Sequence, residues 1–182
     1  MKHLWAGIIL GILSFNTAFS QIPIAGDSTA QDSVVARGTG FEIKRSAVDQ
    51  VVNAAKHNAV LAGTTLPANF PSNVLKQMIN IKMLTVKATD ADREQAKERA
   101  NQDYETLLKQ VGSKEELDKR LNSAGMTVAE MRIKLFDEAI AKTVLLRELN
   151  TSKPEEIASQ APIYLEKLRA ELNVEVLDPG MK

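Results

Sequence analysis

Four short capping signals, each just before a helical pattern, constrain this chain more than any other feature of its sequence. A Ser or Thr followed three residues later by Asp or Glu is typical of a helix start. The hydroxyl accepts a backbone N–H that the helix leaves unpaired, and the carboxylate reaches back to the capping residue. The pairs are Ser46–Asp49, Thr89–Asp92, Ser113–Glu116 and Thr127–Glu130. The sequence therefore predicts a mainly helical protein with well-marked helix boundaries.

The segment 72–88 differs from the other helical patterns because apolar side chains cover most of its circumference. They are Val74, Leu75, Met78, Ile79, Ile81, Met83, Leu84 and Val86. A helix that is apolar nearly all round is buried by neighbours on several sides. We therefore expect this segment to form the central helix of the domain.

Short strand patterns stand at the two ends of the helical region. Residues 34–36 (VVA) and 41–43 (FEI) flank a glycine-containing turn and predict a hairpin. Near the C-terminus, Val174 and Val176 alternate with polar residues, as in a half-buried strand. Because an isolated two-stranded hairpin is marginally stable, we expect the last strand to join it. This predicts contacts between residues 34–43 and 173–178.

The last helical stretch contains a proline. Residues 150–154 (NTSKP) predict a break after the long helix that starts at Thr127. Pro162 then fits best in the first turn of a helix. The pattern therefore favours a division of the last helical stretch into two pieces.

The first twenty residues have the layout of a secretory signal peptide. Lys2 is followed by an apolar run and then by the small residues Ala18 and Ser20. The run is shorter than the roughly 20 apolar residues that a bilayer needs, which favours cleavage after Ser20 over a membrane anchor. Residues 21–33 are small and polar and predict a flexible leader. We expect a periplasmic or secreted protein without stable membrane insertion after cleavage.

The residue types point away from catalysis. The chain has no Cys, and His57 is the only histidine outside the signal segment. We find no glycine-rich phosphate loop and no nucleophile motif. Its 23 basic and 23 acidic side chains are interspersed along the helices without a basic block, so we do not expect nucleic acid as a partner. The sequence predicts no catalytic residue, metal site or cofactor.

The order of these features resembles the N-terminal domain of SurA-type periplasmic chaperones, which belong with the parvulin-type peptidyl-prolyl isomerase proteins. The resemblance runs from about Val34 to Leu149. It consists of the leading strand unit, the very apolar helix, an acidic amphipathic helix and a small leucine helix ending in AGMT. Residues 164–178 resemble the helix and strand that close the domain in this family. A parvulin module would fall near residues 150–154, but only a few residues connect the helices there, where such a domain needs ~100.

The resemblance implies a single chaperone domain over residues 34–178, with a helical body at 34–149 and a closing helix and strand at 154–178. Its fold would be mainly α, with five to six helices and a small sheet formed by the N-terminal hairpin and the C-terminal strand. Its function would be that of a holdase, a chaperone that binds unfolded or extended polypeptides, chiefly outer-membrane proteins. The parvulin catalytic residues have no counterparts, so we expect no isomerase activity.

Apolar grooves between helices would bind the clients of such a chaperone. Candidate residues, chosen for size and helical facing, are Met78, Ile81, Leu84, Met131, Leu135 and Phe136. Methionine suits both irregular core gaps and adaptable binding surfaces. Each of the six residues is also a candidate for the hydrophobic core. A second interpretation remains open, in which the protein is a structural adaptor or a homo-oligomer subunit, such as a homodimer, of the cell envelope.

Overall fold

The structure, a computed structural model, describes residues 32–123 and 125–181. The predicted signal peptide and most of the predicted leader, residues 1–31, lie outside the described residues. The elements in chain order are β1 (Val34–Gly38), β2 (Phe41–Lys44), α1 (Arg45–Leu61), α2 (Phe70–Val86), α3 (Asp90–Val111), α4 (Lys114–Ser123), α5 (Val128–Leu149), α6 (Pro154–Glu171), β3 (Glu175–Val176) and a short 3₁₀ helix (Pro179–Met181). The predicted fold class is confirmed, because the described chain consists mainly of helices with one small antiparallel sheet.

The starts of α3 and α5 are fixed by the two capping boxes that the sequence predicts. At α3, the Asp92 N–H donates to the Thr89 hydroxyl at 3.2 Å, and the Thr89 N–H donates to the Asp92 carboxylate at 2.7 Å. Thr127 and Glu130 make the same reciprocal pair at α5, at 3.2 and 2.7 Å. The end of α3 is also as predicted, since Gly112 follows with a φ of 99° that favours glycine.

The start of α4 keeps only half of the predicted box. The Glu116 N–H donates to the Ser113 hydroxyl at 3.1 Å. The Glu116 carboxylate accepts instead from the Arg120 guanidinium one turn later, at 2.8 Å. The ion pair with Arg120, on the same face of α4, therefore replaces the hydrogen bond between the Glu116 carboxylate and the Ser113 N–H that the sequence predicts.

The predicted Ser46–Asp49 cap of α1 is wrong. The helix begins at Arg45, two residues before the start at Ala47 that a Ser46 cap implies, and the Asp32 carboxylate accepts from both the Ser46 N–H at 3.0 Å and the Ser46 hydroxyl at 2.7 Å. In addition, the Arg45 N–H donates to the Ser33 carbonyl at 2.8 Å. A carboxylate 14 residues upstream thus satisfies the donors that the local signal assigned to Asp49. Residues 32 and 33, which the sequence assigned to the flexible leader, contact the domain.

The expected division of the last helical stretch is also wrong, because α6 is continuous and contains Pro162 in its interior. Proline has no N–H, so the Ala158 carbonyl one turn earlier has no donor within the helix. Ala158 and Pro162 are both exposed, and water can therefore satisfy this carbonyl. The predicted break before α6 is confirmed, since Asn150 adopts the left-handed conformation and Pro154 is the first helical residue.

The first and last strands of the described region meet in the sheet, as the sequence predicts. The strand order is β2-β1-β3, with both pairs antiparallel. Ala36 lies opposite Val176, and Arg37 lies opposite Glu175. The Thr39 N–H extends this contact by donating to the Leu172 carbonyl at 2.7 Å. The predicted contact between residues 34–43 and 173–178 is confirmed.

Two glycines shape the hairpin turn. Gly40 has a φ of +86°, which strains any residue with a Cβ. Gly38 lies under the ring of its cross-strand partner Phe41, and a Cβ there would come within 2.6 Å of a ring carbon. Phe41 thereby covers the backbone of β1 and packs against the core.

The helix α2 is central, as its apolar circumference predicts. It contacts α1, α5, α6, β1, β2 and the 3₁₀ helix. The side chains of Leu75, Ile79 and Met83 are almost completely buried. The helices α3 and α5 pack along each other, with α4 in the connection between them, and α5 also packs on α2. The helix α5 therefore packs on both α3 and α2.

Candidate functional site

The six candidate residues divide into a buried and a partly exposed set. Leu84, Met131 and Leu135 are at most 5% exposed and belong to the core. Met78, Ile81 and Phe136 pack against that core but keep part of their surface in solvent. In this conformation only the second set is accessible to another polypeptide.

An ion pair defines the geometry between α2 and α5 at this place. The Lys82 ammonium lies 2.8 Å from the Asp137 carboxylate. Ile81 and Phe136 are the chain neighbours of these two residues, so they lie at the same level of the two helices. The Arg147 guanidinium reaches the Lys87 carbonyl at 3.3 Å further along. The two helices therefore run in the same direction.

An exposed isoleucine, which the sequence reasoning missed, lies close to this ion pair along α5. Met78 precedes Lys82 by one helical turn, and Ile133 precedes Asp137 by one turn on the parallel helix. Residues four apart share a helix face, so Met78 and Ile133 lie on the same side of the ion pair. Ile133 is 62% exposed although it is a large apolar residue. We call Met78, Ile81, Ile133 and Phe136 the α2–α5 surface.

A signal for Ile133 was present in the sequence, but it could not be interpreted there. Ile133 and Asp137 are four residues apart on one face of α5. Further along the helix, the same face carries the buried residues Ile140 and Val144. Such a pattern indicates a core face along its whole length. The packing of the neighbouring helices determines where along α5 this face is uncovered.

The opposite side of α5 carries a half-buried carboxyl group. Burial raises the pKa of Glu138 to about 7, although the positive charge of Lys134 opposes this shift. The negative charges of Asp103 on α3 and Asp137 raise it further. Burial in turn lowers the pKa of the Lys134 ammonium. The α3–α5 interface therefore contains a carboxyl group that titrates near neutral pH.

The described residues offer little for other chemistry. Residues 32–123 and 125–181 contain no group of three or more His, Asp or Glu side chains placed to hold a metal ion. His57 lies exposed on α1. Two shallow surface depressions are lined mainly by polar and charged side chains, one at the end of α6 near Arg169 and Glu175 and one along α3 near Glu98 and Glu105. Over the same residues, no helix combines the length and apolar character required to cross a bilayer.

No protein-family model matches the chain, and a search of curated proteins finds no matching relative. Membership of the SurA-type family therefore stays a prediction from the resemblance.

Proposed function

We propose that this protein is an exported holdase that binds unfolded outer-membrane proteins in the periplasm and has no isomerase activity of its own. The observation that carries the proposal is the pairing of β1 with β3. The resemblance requires a helical body that is closed by a C-terminal helix and strand, and this pairing supports such a closure. The direct connection from α5 to α6 through residues 150–153 leaves no room for a parvulin module.

The α2–α5 surface has the composition expected for weak binding of extended apolar segments. Partly exposed Met78, Ile81 and Phe136 and exposed Ile133 offer apolar area, and Lys82 and Asp137 provide a charged rim. A methionine side chain adapts to partners of different shape, while a polar rim limits non-specific association. The surface requires no cofactor for this activity.

An aggregation assay tests the function directly. A urea-unfolded outer-membrane β-barrel protein is diluted into buffer with a several-fold molar excess of the mature protein, and light scattering is followed. We expect suppressed scattering compared with an inert protein of the same size. Unchanged scattering would refute the holdase proposal.

Matched variants test the surface. Ile133→Ser should weaken the suppression, because this side chain is mostly solvent-exposed and its loss should hardly change the fold. Val60→Ser is the control, since Val60 is 76% exposed on α1 and lies outside the α2–α5 surface. Equal suppression by both variants would contradict the assignment of this surface, though not the holdase function.

The alternative, an adaptor or homo-oligomer subunit, predicts self-association. Sedimentation velocity over a hundredfold range of concentration distinguishes the two functions. We expect a monomer throughout, and a tight oligomer that fails to suppress aggregation would favour the alternative.

A further inference from the structure

The helix α6 consists of two halves that differ in burial. In the C-terminal half, Leu168 is 1% exposed, and Leu172, directly after the helix, is also buried. In the N-terminal segment Pro154–Ala161, which we call the flap, no side chain is fully buried. Ile157 and Ala161, four residues apart, are its half-buried residues that pack against the core. The flap is therefore attached mainly by one narrow apolar stripe.

The polar contacts show the same division. Glu171, at the end of α6, is paired with Lys87 at 2.8 Å, and the Leu172 carbonyl accepts from the Thr39 N–H in the hairpin turn. In the flap, the Glu156 carboxylate pairs with Lys153 at 2.7 Å, and the Ser159 hydroxyl donates to the Glu156 carbonyl at 3.0 Å. Within residues 32–123 and 125–181, the side-chain hydrogen bonds found for the flap stay inside its own neighbourhood.

Pro162 lies at the boundary between the two halves. It removes the hydrogen bond to Ala158 and thereby weakens the coupling of the flap to the rest of the helix. The missing hydrogen bond and the narrow apolar attachment through Ile157 and Ala161 both lower the free energy needed to open the flap relative to the rest of the domain.

We propose that the flap opens by local unfolding and that an unfolded client segment then occupies the apolar surface beneath it. This inference rests on the proposed holdase function. The flap itself indicates the occupant, because the covered surface already binds a segment with apolar side chains at i and i+4. A client segment with the same spacing replaces Ile157 and Ala161, while Leu168, Leu172 and β3 keep the domain closed.

Hydrogen exchange of the mature protein tests the opening without a client. We expect the amides of 155–161 to exchange faster than those of 165–171. Ala158→Gly should raise the exchange rate of the flap about fivefold, because glycine weakens an exposed helix position, and Pro162→Ala should lower it about tenfold or more. Ala170→Gly, at an exposed position of the C-terminal half, is the matched control and should leave the exchange of 155–161 unchanged. Equal exchange along the whole of α6 would overturn the proposal.

Client binding tests the occupant. The probe is a fluorescently labelled, urea-unfolded outer-membrane β-barrel protein diluted into each variant. We expect Ala158→Gly to bind it about fivefold more tightly and Pro162→Ala to bind it more weakly than the unmodified protein, in proportion to the open population. Equal affinity for all variants would overturn the assignment of this surface while leaving the holdase function intact. Absence of binding to the unmodified protein would refute both.

Discussion

Asp92 and Arg147 form an ion pair at the point where three helices meet. The Asp92 carboxylate is 5% exposed in the first turn of α3, and Arg147 lies in the last turn of α5. Arg147 also donates to the Lys87 carbonyl, which directly follows α2, at 3.3 Å. One arginine therefore connects the end of α2, the start of α3 and the end of α5.

We expect Asp92→Asn to lower the free energy of unfolding by about 1–3 kcal/mol, because the buried Asp92 side chain loses the charge that pairs with Arg147 and accepts from the Thr89 N–H. Asp90→Asn is the control, since Asp90 is exposed in the same helical turn and should cost only a few tenths of a kcal/mol. Urea unfolding of both variants at pH 7 measures the difference. Equal losses would show that helix-end electrostatics, rather than the ion pair, accounts for the effect.

The same carboxylate predicts a dependence on acid. Burial raises the pKa of Asp92, but the hydrogen bonds from Thr89 and the charge of Arg147 outweigh it, so the pKa lies below its ordinary value. A lowered pKa contributes stability that is present above the pKa of the unfolded chain, near 3.8, and is lost as the pH falls through the folded value. Asp92→Asn should therefore unfold with less dependence on pH below 4 than the unmodified protein. Parallel pH profiles would contradict this.

Glu138 predicts a dependence with the opposite sign. Its pKa is about 7 in the folded protein against 4.5 for the ordinary group, so the unfolded chain binds fewer protons between these values. Stability is therefore present below pH 4.5 and is lost as the pH rises through about 7, by at most about 3 kcal/mol. Glu138→Gln should be more stable than the unmodified protein at pH 8 and equal to it at pH 4. The exposed Glu105→Gln serves as control, and a stabilisation by Glu138→Gln that is equal at both pH values would contradict the assignment.

The position of Asp32 predicts a long-range cap. Asp32→Ala should lower the melting temperature, because the Ser46 N–H at the start of α1 loses its acceptor. Asp49→Ala removes the partner that the local sequence signal indicates and should have the smaller effect. Thermal unfolding followed by circular dichroism compares the two. A larger decrease in melting temperature for Asp49→Ala than for Asp32→Ala would support the local cap instead.

The sequence was sufficient for two of the four predicted caps, in which the interacting residues are close in the chain. Thr89 and Asp92, or Thr127 and Glu130, are three residues apart, so one helical turn determines their contacts. The cap at Ser46 could not be predicted in this way, because its partner Asp32 lies 14 residues upstream, far outside one helical turn. The position of Pro162 inside a helix could not be predicted either, since the free-energy cost of the missing hydrogen bond depends on solvent access to the Ala158 carbonyl.

The candidate surface could be predicted only in part. An apolar side chain such as Leu84 or Met78 has the same pattern whether a neighbouring helix covers it or not. Which of the two is buried depends on how α2, α5 and α1 pack, and this is decided by contacts between distant residues. The titrating group Glu138 was missed for the same reason, because its burial comes from the packing of α3 on α5.

The pairing of β1 with β3 predicts that backbone contacts, rather than surface charge, hold the chain ends together. Deletion of residues 174–182 should cost about 3 kcal/mol or more, because β1 loses its second neighbour, the core loses Val174 and Val176, and Arg45 loses its ion-pair partner Asp178. The double substitution Arg37→Ala and Glu175→Ala removes only an ion pair whose side chains are 58% and 57% exposed, and should cost less than about 1 kcal/mol. Comparable losses would assign the closure to the ion pair.

This arrangement links the completion of folding to the completion of the chain. Arg37 and Glu175 are 138 positions apart, and β1 is the middle strand of the sheet. A polypeptide that is made or exported from its N-terminus has its first strand in place long before the partner strand arrives. A chain that ends before β3 leaves one side of β1 unpaired, and such an edge can pair with another chain. The sheet is therefore complete only after residues 175–176 have been added.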